Sequence, residues 1–201
     1  MPHLAQLYLA LMLLLGAPLD ACVDRTHGLP AWYDPGFLPE TQAAFDELQT
    51  AAAADGVAVV MFSGYRPYAY QEEVHAREVA LNPESAELLS ARAGHSEHQL
   101  GTALDAAWPG VGLGVDDPRN DLLYPWLEAH AHEFGFVLSY PLRTVDEWPY
   151  SNRWLPVVTE YVHEPWHLRY VGLEAAQALY AEGYLDPHST VLPQDHCEPW
   201  P

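Results

Sequence analysis

The sequence predicts a single α+β domain, and three observations support this prediction. The chain has 201 residues, of which 49% are hydrophobic, enough for one ordinary core. Segments with helical periodicity are mixed with a few short apolar runs that suit strands. Helices and strands do not alternate regularly, so the pattern does not favour a parallel βαβ sheet.

Four segments have the apolar spacing of helices, and a shorter helical segment follows the second of them. The first ends at Gly56, the second before Pro83 and the last at Gly183, which are residue types that commonly end helices. The predicted helices cover residues 41–54, 69–82, 85–94, 122–136 and 173–183.

Four other segments predict strands. The clearest is the run 57–62, which is continuously apolar, β-branched and bounded by glycines. The remaining predicted strands lie within 101–108, 137–141 and 159–172. Residues 109–120 are rich in glycine and show no periodicity, so we expect a loop there.

The charge of the chain limits the class of partner. Eight basic residues, all arginine, stand against 28 acidic residues, which gives a net charge of −20. A nucleic-acid backbone or an anionic membrane surface would be repelled, so we expect neither as a partner. Small peptides, sugars and cations fit better, although solubility or the coding bias of a GC-rich genome explains the acidity equally well.

The first 21 residues have the features of a signal peptide. An apolar run over 7–15 is followed by small residues, and it is too short to span a membrane comfortably, although a basic start is missing. We therefore expect residues 1–21 to be removed and residues 22–201 to form one exported domain, periplasmic or at the extracellular cell wall, without a membrane span.

The two cysteines lie at the ends of this exported domain. In an oxidising compartment Cys22 and Cys197 could form a disulfide that joins the termini. Alternatively, the segment LDAC, which ends at Cys22, resembles a lipoprotein processing box. Lipidation of Cys22 would exclude the disulfide, and the sequence alone leaves both outcomes open.

Two clusters stand out among the eleven histidines of the chain. SEHQLGTALDAA contains His98 and Asp105, and HEPWH contains Glu164 and His167. Imidazole and carboxylate groups are common ligands of catalytic zinc. Pro165 argues against a helical zinc motif in the second cluster. In an extended segment His167 and Glu164 would point to opposite sides, unless the chain bends at the proline.

Each cluster alone is more often structural than functional, but together they suit a hydrolytic zinc site. Three ligands hold the ion, a fourth position keeps water, and a free carboxylate takes the proton when water attacks. A cation must then stabilise the negative charge that develops on the oxygen of the attacked carbonyl. Arg66, in SGYRPYAYQ after the first predicted strand, is a candidate, although an ion pair on an acidic surface explains it equally well.

The three segments SGYRPYAYQ, SEHQLGTALD and EPWHLRYVG, in this order, resemble the zinc D-alanyl-D-alanine carboxypeptidases of the VanY type. These enzymes belong with lysostaphin-like and Hedgehog-like domains in one metallopeptidase superfamily. The resemblance covers roughly residues 25 to 185. It implies a small antiparallel sheet flanked by helices, which agrees with the four predicted strands.

The resemblance also implies a role for the polar residues of both clusters. Zinc would be held by His98, Asp105 and His167. Glu164 would be the general base that activates the zinc-bound water, and later the proton donor.

Further residues would form the substrate pocket. The resemblance implies that Arg66 contacts the substrate or the developing oxyanion. It also implies that Ser96 and Gln71 line the pocket for the terminal D-residue, and that Tyr65 and Trp166 pack the site.

Three departures from the family pattern affect this pocket rather than the ligand set. His95 stands where relatives often have a small residue or proline, and Ser139 replaces an expected arginine. An insertion-like stretch around residues 143–160 separates the third predicted strand from the zinc histidine. The preferred peptide is therefore left open.

We expect a monomeric zinc carboxypeptidase that removes C-terminal D-alanine from peptidoglycan stem peptides. The alternatives within the superfamily are an L,D-carboxypeptidase, a D,D-dipeptidase and a murein endopeptidase. A non-catalytic zinc-containing module that binds the cell wall and an inert acidic secreted protein are rivals of other classes. Glu164 argues against the binding module, because a structural zinc site fills its fourth position and needs no free base.

Overall fold

The computed structural model describes residues 19, 21–114, 116–143 and 161–199 of the chain. Most of the predicted signal peptide and most of the insertion-like stretch therefore lie outside the described residues. Within the described residues, no helix combines the length and the apolar character that a membrane crossing requires.

Five α-helices form in the segments predicted to be helical, but two of them end several residues earlier than predicted. Residues 90–94 are not helical, and the helix predicted over 122–136 ends at His130 and continues only as a 3₁₀ turn. The first helix begins with Pro39 in its first turn, where the missing amide proton costs nothing, and it ends before Gly56, whose φ is 79°. The helices are α1 (Pro39–Ala54), α2 (Tyr68–Leu81), α3 (Ala86–Leu89), α4 (Asn120–His130) and α5 (Leu173–Ala181). Short 3₁₀ turns follow at Glu97–Leu100, Ala131–Phe134 and Pro193–His196.

Four strands form the central sheet, and each neighbouring pair is antiparallel, as expected. The strands are β2 (Val60–Ser63), β3 (Ala103–Ala107), β4 (Phe136–Leu138) and β5 (His167–Tyr170), in the spatial order β2-β3-β5-β4. Strands β3 and β5 are therefore the two central strands, and both carry residues of the predicted metal site.

All four strands of the sheet are shorter than the sequence predicts, and the reasons differ for β2 and β5. Val57 and Val59 are buried in the core, but they lie before the first residue of β2 that pairs with β3. The last predicted strand forms only from His167 onward, because a turn at Pro165 precedes it and the His167 amide donates to the Glu164 carbonyl at 3.2 Å. The bend at the proline that the sequence left open is thus present.

The main hydrophobic core lies between the sheet and its surrounding helices. Phe45 and Leu48 of α1 pack in the same cluster as Leu104 of β3, Leu127 of α4 and Leu168 of β5, and all five are almost fully buried. Burial of a side chain of this size stabilises the fold by about 1.5–3 kcal/mol. The core thereby fixes the two central strands from which the site is built.

The ends of the described chain are joined beside the sheet. Strand β1 (Ala21–Cys22) pairs in parallel with β6 (Glu198–Pro199). Cys22 and Cys197 form a disulfide. Of the two outcomes that the sequence left open for Cys22, the structure therefore contains the disulfide.

Candidate metal centre and active site

The sheet register brings the two clusters of the sequence together. Asp105 on β3 is paired directly with His167 on β5, and residues directly opposite each other in an antiparallel pair project from the same face. His98 lies on the 3₁₀ turn that leads into β3. One ligand atom from each of these three buried residues lies within 4.8 Å of the others.

His98 is held with one ring nitrogen facing the site. Its Nδ1 donates a hydrogen bond to the Gly64 carbonyl oxygen at 2.7 Å, which fixes the tautomer and leaves Nε2 with its lone pair. Nε2 is buried and has no hydrogen-bond partner in the described part of the chain. Burial lowers the pKa of His98, so the ring is neutral and suited to bind a metal ion.

Two distances between these residues are close to those between ligand atoms around a tetrahedral ion. His98 Nε2 lies 3.3 Å from Asp105 Oδ2, and His167 Nδ1 lies 3.2 Å from Asp105 Oδ1. Ligand bonds of 2.0–2.2 Å to tetrahedral zinc place neighbouring ligand atoms about 3.4 Å apart. Together with the Nε2 atom of His98, which has no hydrogen-bond partner among the described residues, these distances make the three residues a donor set that could hold a zinc ion.

His167 is supported from behind by a buried glutamate that the sequence analysis missed. The Nε2 atom of His167 lies 2.9 Å from Oε2 of Glu97. Burial alone would raise the pKa of Glu97, but Arg169 and His167 outweigh it and lower that pKa to about 2. The carboxylate is therefore charged at neutral pH.

The same surroundings make the metal-free site attractive to a cation. Burial would lower the pKa of His167, but hydrogen bonds to Asp105 and Glu97 raise it to about 10. Burial would raise the pKa of Asp105, but the hydrogen bond and the charge of His167 help to hold it far below its usual range. Two carboxylates that stabilise a proton on His167 also stabilise a metal ion in its place.

Glu164 approaches the same face from the turn before β5. Its Oε2 atom lies 3.9 Å from Nδ1 of His167, and only 15% of its side chain is exposed. Burial raises the pKa of Glu164 to about 7, because the charged form is poorly solvated. A carboxyl group with this pKa can accept and return a proton near neutral pH.

Arg66 lies on the other side of Asp105, in the loop after β2. Its Nη1 atom is 3.6 Å from Oδ2 of Asp105 and donates to the Ser63 hydroxyl at 3.3 Å. The Arg66 amide also donates to the carbonyl of His98 at 3.3 Å, which ties this loop to the ligand turn. The Nε–H group is buried without a hydrogen-bond partner in the described part of the chain.

These groups share one pocket of about 190 Å³. Among its described lining residues, Arg66 is the only arginine or lysine, so a substrate carboxylate or oxyanion has one cationic side chain to meet. Tyr140, Tyr161 and Trp166 supply aromatic walls. The pocket thus combines a metal-ligand group, a base and a cation over a partly apolar surface.

The two remaining predicted substrate residues differ in position. Ser96 lines the pocket, whereas Gln71 is not among its described lining residues. Gln71 is buried, and its amide donates to the Ala91 carbonyl at 2.6 Å. Since Ala91 lines the pocket, Gln71 supports the pocket wall, and direct contact with substrate stays a prediction for both residues.

Of the two residues that sequence reasoning assigned to packing, one lines the pocket, and a tyrosine that it missed contacts a ligand histidine. Trp166 lines the pocket with its ring 6.1 Å from that of Tyr124, whereas the Tyr65 hydroxyl donates to Asp34. Tyr140, which the sequence analysis did not select, packs its ring 4.8 Å from the ring of His167. A tyrosine gives no signal of this kind in one sequence, because its role depends on which histidine it meets.

Comparison with known proteins gives independent evidence for the class. A family model described as VanY, D-alanyl-D-alanine carboxypeptidase, matches residues 37–173. A D-alanyl-D-alanine carboxypeptidase of Enterococcus faecalis is 33% identical over 184 residues, which are 80% of this chain and 61% of that relative. The chain therefore spans about three fifths of the length of this relative.

Solved structures share the fold. The LdcB LD-carboxypeptidase is 30% identical, with a TM-score of 0.66 over 81% of this chain and 80% of LdcB. A vancomycin-resistance D,D-pentapeptidase VanY in complex with Zn(II) is 32% identical, with a TM-score of 0.65 over 82% of this chain and 94% of VanY. VanYB in complex with D-alanine-D-alanine gives the same identity and TM-score, over 82% and 92%.

The shared fold, together with three buried residues that could hold a metal ion, places this chain in the class of metallopeptidases. The family match extends over more than half of its residues. The chain therefore belongs to the VanY family of D-alanyl-D-alanine carboxypeptidases.

Proposed function

We propose that this protein is a zinc-dependent carboxypeptidase that removes C-terminal D-alanine from peptidoglycan stem peptides. The observation that carries the proposal is the convergence of His98, Asp105 and His167 beside a buried glutamate whose pKa is about 7. Family membership supports the reaction, and the D-alanine-D-alanine complex of VanYB supports the substrate class. Export is supported by the Cys22–Cys197 disulfide, since such bonds persist in oxidising compartments.

Zinc bound by His98, Asp105 and His167 would act as a Lewis acid at the scissile carbonyl. Glu164 removes a proton from the attacking water and delivers it to the leaving amine of D-alanine. Arg66, as the cation of the pocket, binds the substrate carboxylate or the developing oxyanion. Trp166 and the other aromatic walls limit water around Glu164 and so maintain its raised pKa.

The variant Glu164→Gln tests the proposal directly. We expect bound zinc to remain near one equivalent, because Glu164 is not a ligand, and turnover to fall by about 10²–10⁴-fold. Release of D-alanine from a stem pentapeptide and metal content by elemental analysis are the two measurements. Glu128→Gln is a matched control, because Glu128 is also partly buried with a pKa raised by burial but lies outside the pocket. Normal turnover in Glu164→Gln would refute the mechanism.

The likeness to the LdcB LD-carboxypeptidase makes L,D cleavage the second candidate function. Mass spectrometry of digested stem peptides separates the two. Conversion of pentapeptide to tetrapeptide identifies D,D cleavage, and conversion of tetrapeptide to tripeptide identifies L,D cleavage. Zinc binding without either product would instead favour a binding module.

A further inference from the structure

Glu97 occupies an unusual position for a carboxylate, since it is fully enclosed behind a metal ligand. Its residue is 1% exposed, and it directly precedes His98 on the 3₁₀ turn. Buried carboxylates are costly unless they are fully paired. The hydrogen-bond partners of Glu97 therefore indicate its role.

Three donors satisfy this carboxylate. Oε2 accepts from the Ser139 hydroxyl at 2.6 Å and from Nε2 of His167 at 2.9 Å. Oε1 accepts from Nη1 of Arg169 at 3.0 Å. All four side chains are buried, so these bonds are protected from competing water.

We propose that Glu97 is a positioning residue for metal binding, because its carboxylate holds the Nε2–H of His167 and so keeps Nδ1 directed toward Asp105 and His98. This inference rests on the metal site of the proposed function. A carboxylate behind a ligand imidazole fixes its tautomer, limits rotation of the ring and makes the other nitrogen a stronger donor.

The 3₁₀ turn Glu97–Leu100 thereby positions two metal ligands. His98 directs its own Nε2 lone pair toward the site, and its neighbour Glu97 orients the second histidine, His167 on β5. Arg169 lies two residues after His167 on the same strand and holds the other oxygen of Glu97. Movement of the turn relative to β5 would therefore disturb both histidine ligands together.

The alternative is that Glu97 only stabilises the fold, through its buried ion pair with Arg169. Measurements of zinc affinity distinguish this alternative from our inference. We expect Glu97→Gln to raise the zinc dissociation constant about 10–100-fold, measured by competition with a chelator. The visible spectrum of the Co(II)-substituted protein should also change, since that spectrum reports the geometry of the ligands. Ser139→Ala removes one donor but leaves the carboxylate, so its effect on zinc affinity should be smaller.

Arg143→Met is the control for loss of stability alone. Arg143 is also a buried arginine, but it donates to the carbonyl oxygens of Tyr184 and Val191, away from the metal ligands. This variant should lower the melting temperature and leave zinc affinity within twofold of wild type. A folded Glu97→Gln protein with zinc affinity and Co(II) spectrum like wild type would overturn the inference.

A double variant covers the case in which Glu97→Gln does not fold. Replacing Glu97 and Arg169 together by methionine removes both buried charges, an exchange that is often neutral for stability. The same 10–100-fold loss of zinc affinity is expected, and affinity within twofold of wild type would again overturn the inference. If the wild-type protein itself binds no zinc, the proposed metal site is refuted. If the wild type and the Glu97 variant bind zinc equally well, only the proposed role of Glu97 is refuted.

Discussion

Glu164 is the residue whose ionisation should govern activity in acid. The proposed reaction needs its charged form, and burial raises its pKa from 4.5 to about 7. A dication beside the carboxylate favours the charged form and lowers this pKa again. We therefore expect kcat/KM to fall about tenfold per pH unit below a pKa that lies between 4.5 and about 7.

The pH dependence of kcat/KM for the zinc-loaded enzyme measures this pKa. The acid limb should persist in Glu128→Gln and disappear from the residual activity of Glu164→Gln. An acid limb centred above pH 7, or an unchanged limb in Glu164→Gln, would assign the ionisation to another group.

Arg66 is the residue that we propose binds the negative charge of the substrate. Its Nε–H group is buried with no hydrogen-bond partner among the described residues, so a ligand oxygen would satisfy it. We expect Arg66→Ala to lower kcat/KM about 10²–10³-fold while zinc remains bound, as measured by D-alanine release and metal analysis. Arg92→Ala is the control, because Arg92 is an exposed arginine paired with Glu87. Equal kcat/KM in Arg66→Ala and wild type would remove Arg66 from the reaction.

At the scale of residues, the sequence predicted the ligands but not the residues that support them. His98, Asp105 and His167 were selectable because imidazole and carboxylate are recognisable metal ligands and the motifs resemble those of a known family. Glu97 was not, although it stands beside His98. A glutamate is normally exposed, and only the folded structure, in which it contacts His167 on β5, shows that this one is not.

The turn that carries His98 depends on one glycine. Gly101 ends this turn with φ 79°, and a Cβ atom there would collide with the Gly36 carbonyl oxygen. We expect Gly101→Ala to lower the free energy of unfolding by more than about 1 kcal/mol and to weaken zinc binding, because relief of the collision moves the ligand turn. Thermal unfolding and chelator competition measure the two effects.

Gly110→Ala is the matched control for this prediction. Gly110 has a similar φ of 75°, but no atom lies within 4 Å of a Cβ placed there. The Gly110→Ala variant should lose only the free energy of unfolding that the left-handed backbone conformation costs an alanine, and its zinc affinity should be unchanged. Equal effects of the two substitutions on zinc binding would argue against the collision as the cause.

At the scale of elements, helices were predicted more closely than strands. The spacing of apolar residues predicted α1 and α2 to within two residues at each end. The strand predicted over 159–172 was too long, because apolar composition does not show where pairing with a neighbour begins. Pairing begins after Pro165, and the resulting turn is what places Glu164 beside His167.

The disulfide acts on the stability of the whole molecule. It closes a loop of 175 residues, and cross-links of this kind typically contribute about 2–5 kcal/mol by restricting the unfolded chain. We expect the double variant Cys22→Ser/Cys197→Ser to lose about this much stability in urea unfolding. Turnover at 25 °C should change little, because neither cysteine is among the described residues that line the pocket.

Reduced wild-type protein provides the control, since it lacks the same bond without any substitution. Its unfolding midpoint should match that of the double variant. A midpoint in the double variant equal to that of oxidised wild type would show that the bond contributes nothing to stability.

The contacts of Arg169 bear on how the chain can be matured. Its Nη2 atom donates to the carbonyl oxygens of Leu19 and Ala21, at 3.0 and 2.5 Å. A leader peptidase cutting directly before Cys22, as the sequence suggested, would remove both acceptors of Nη2, while Nη1 would keep its bond to Glu97. The loss of partners for one buried N–H group costs about 1–3 kcal/mol. We therefore expect a cut ahead of Leu19 to preserve the stability of this fold better than a cut directly before Cys22. Sequencing the amino terminus of the exported protein tests this expectation.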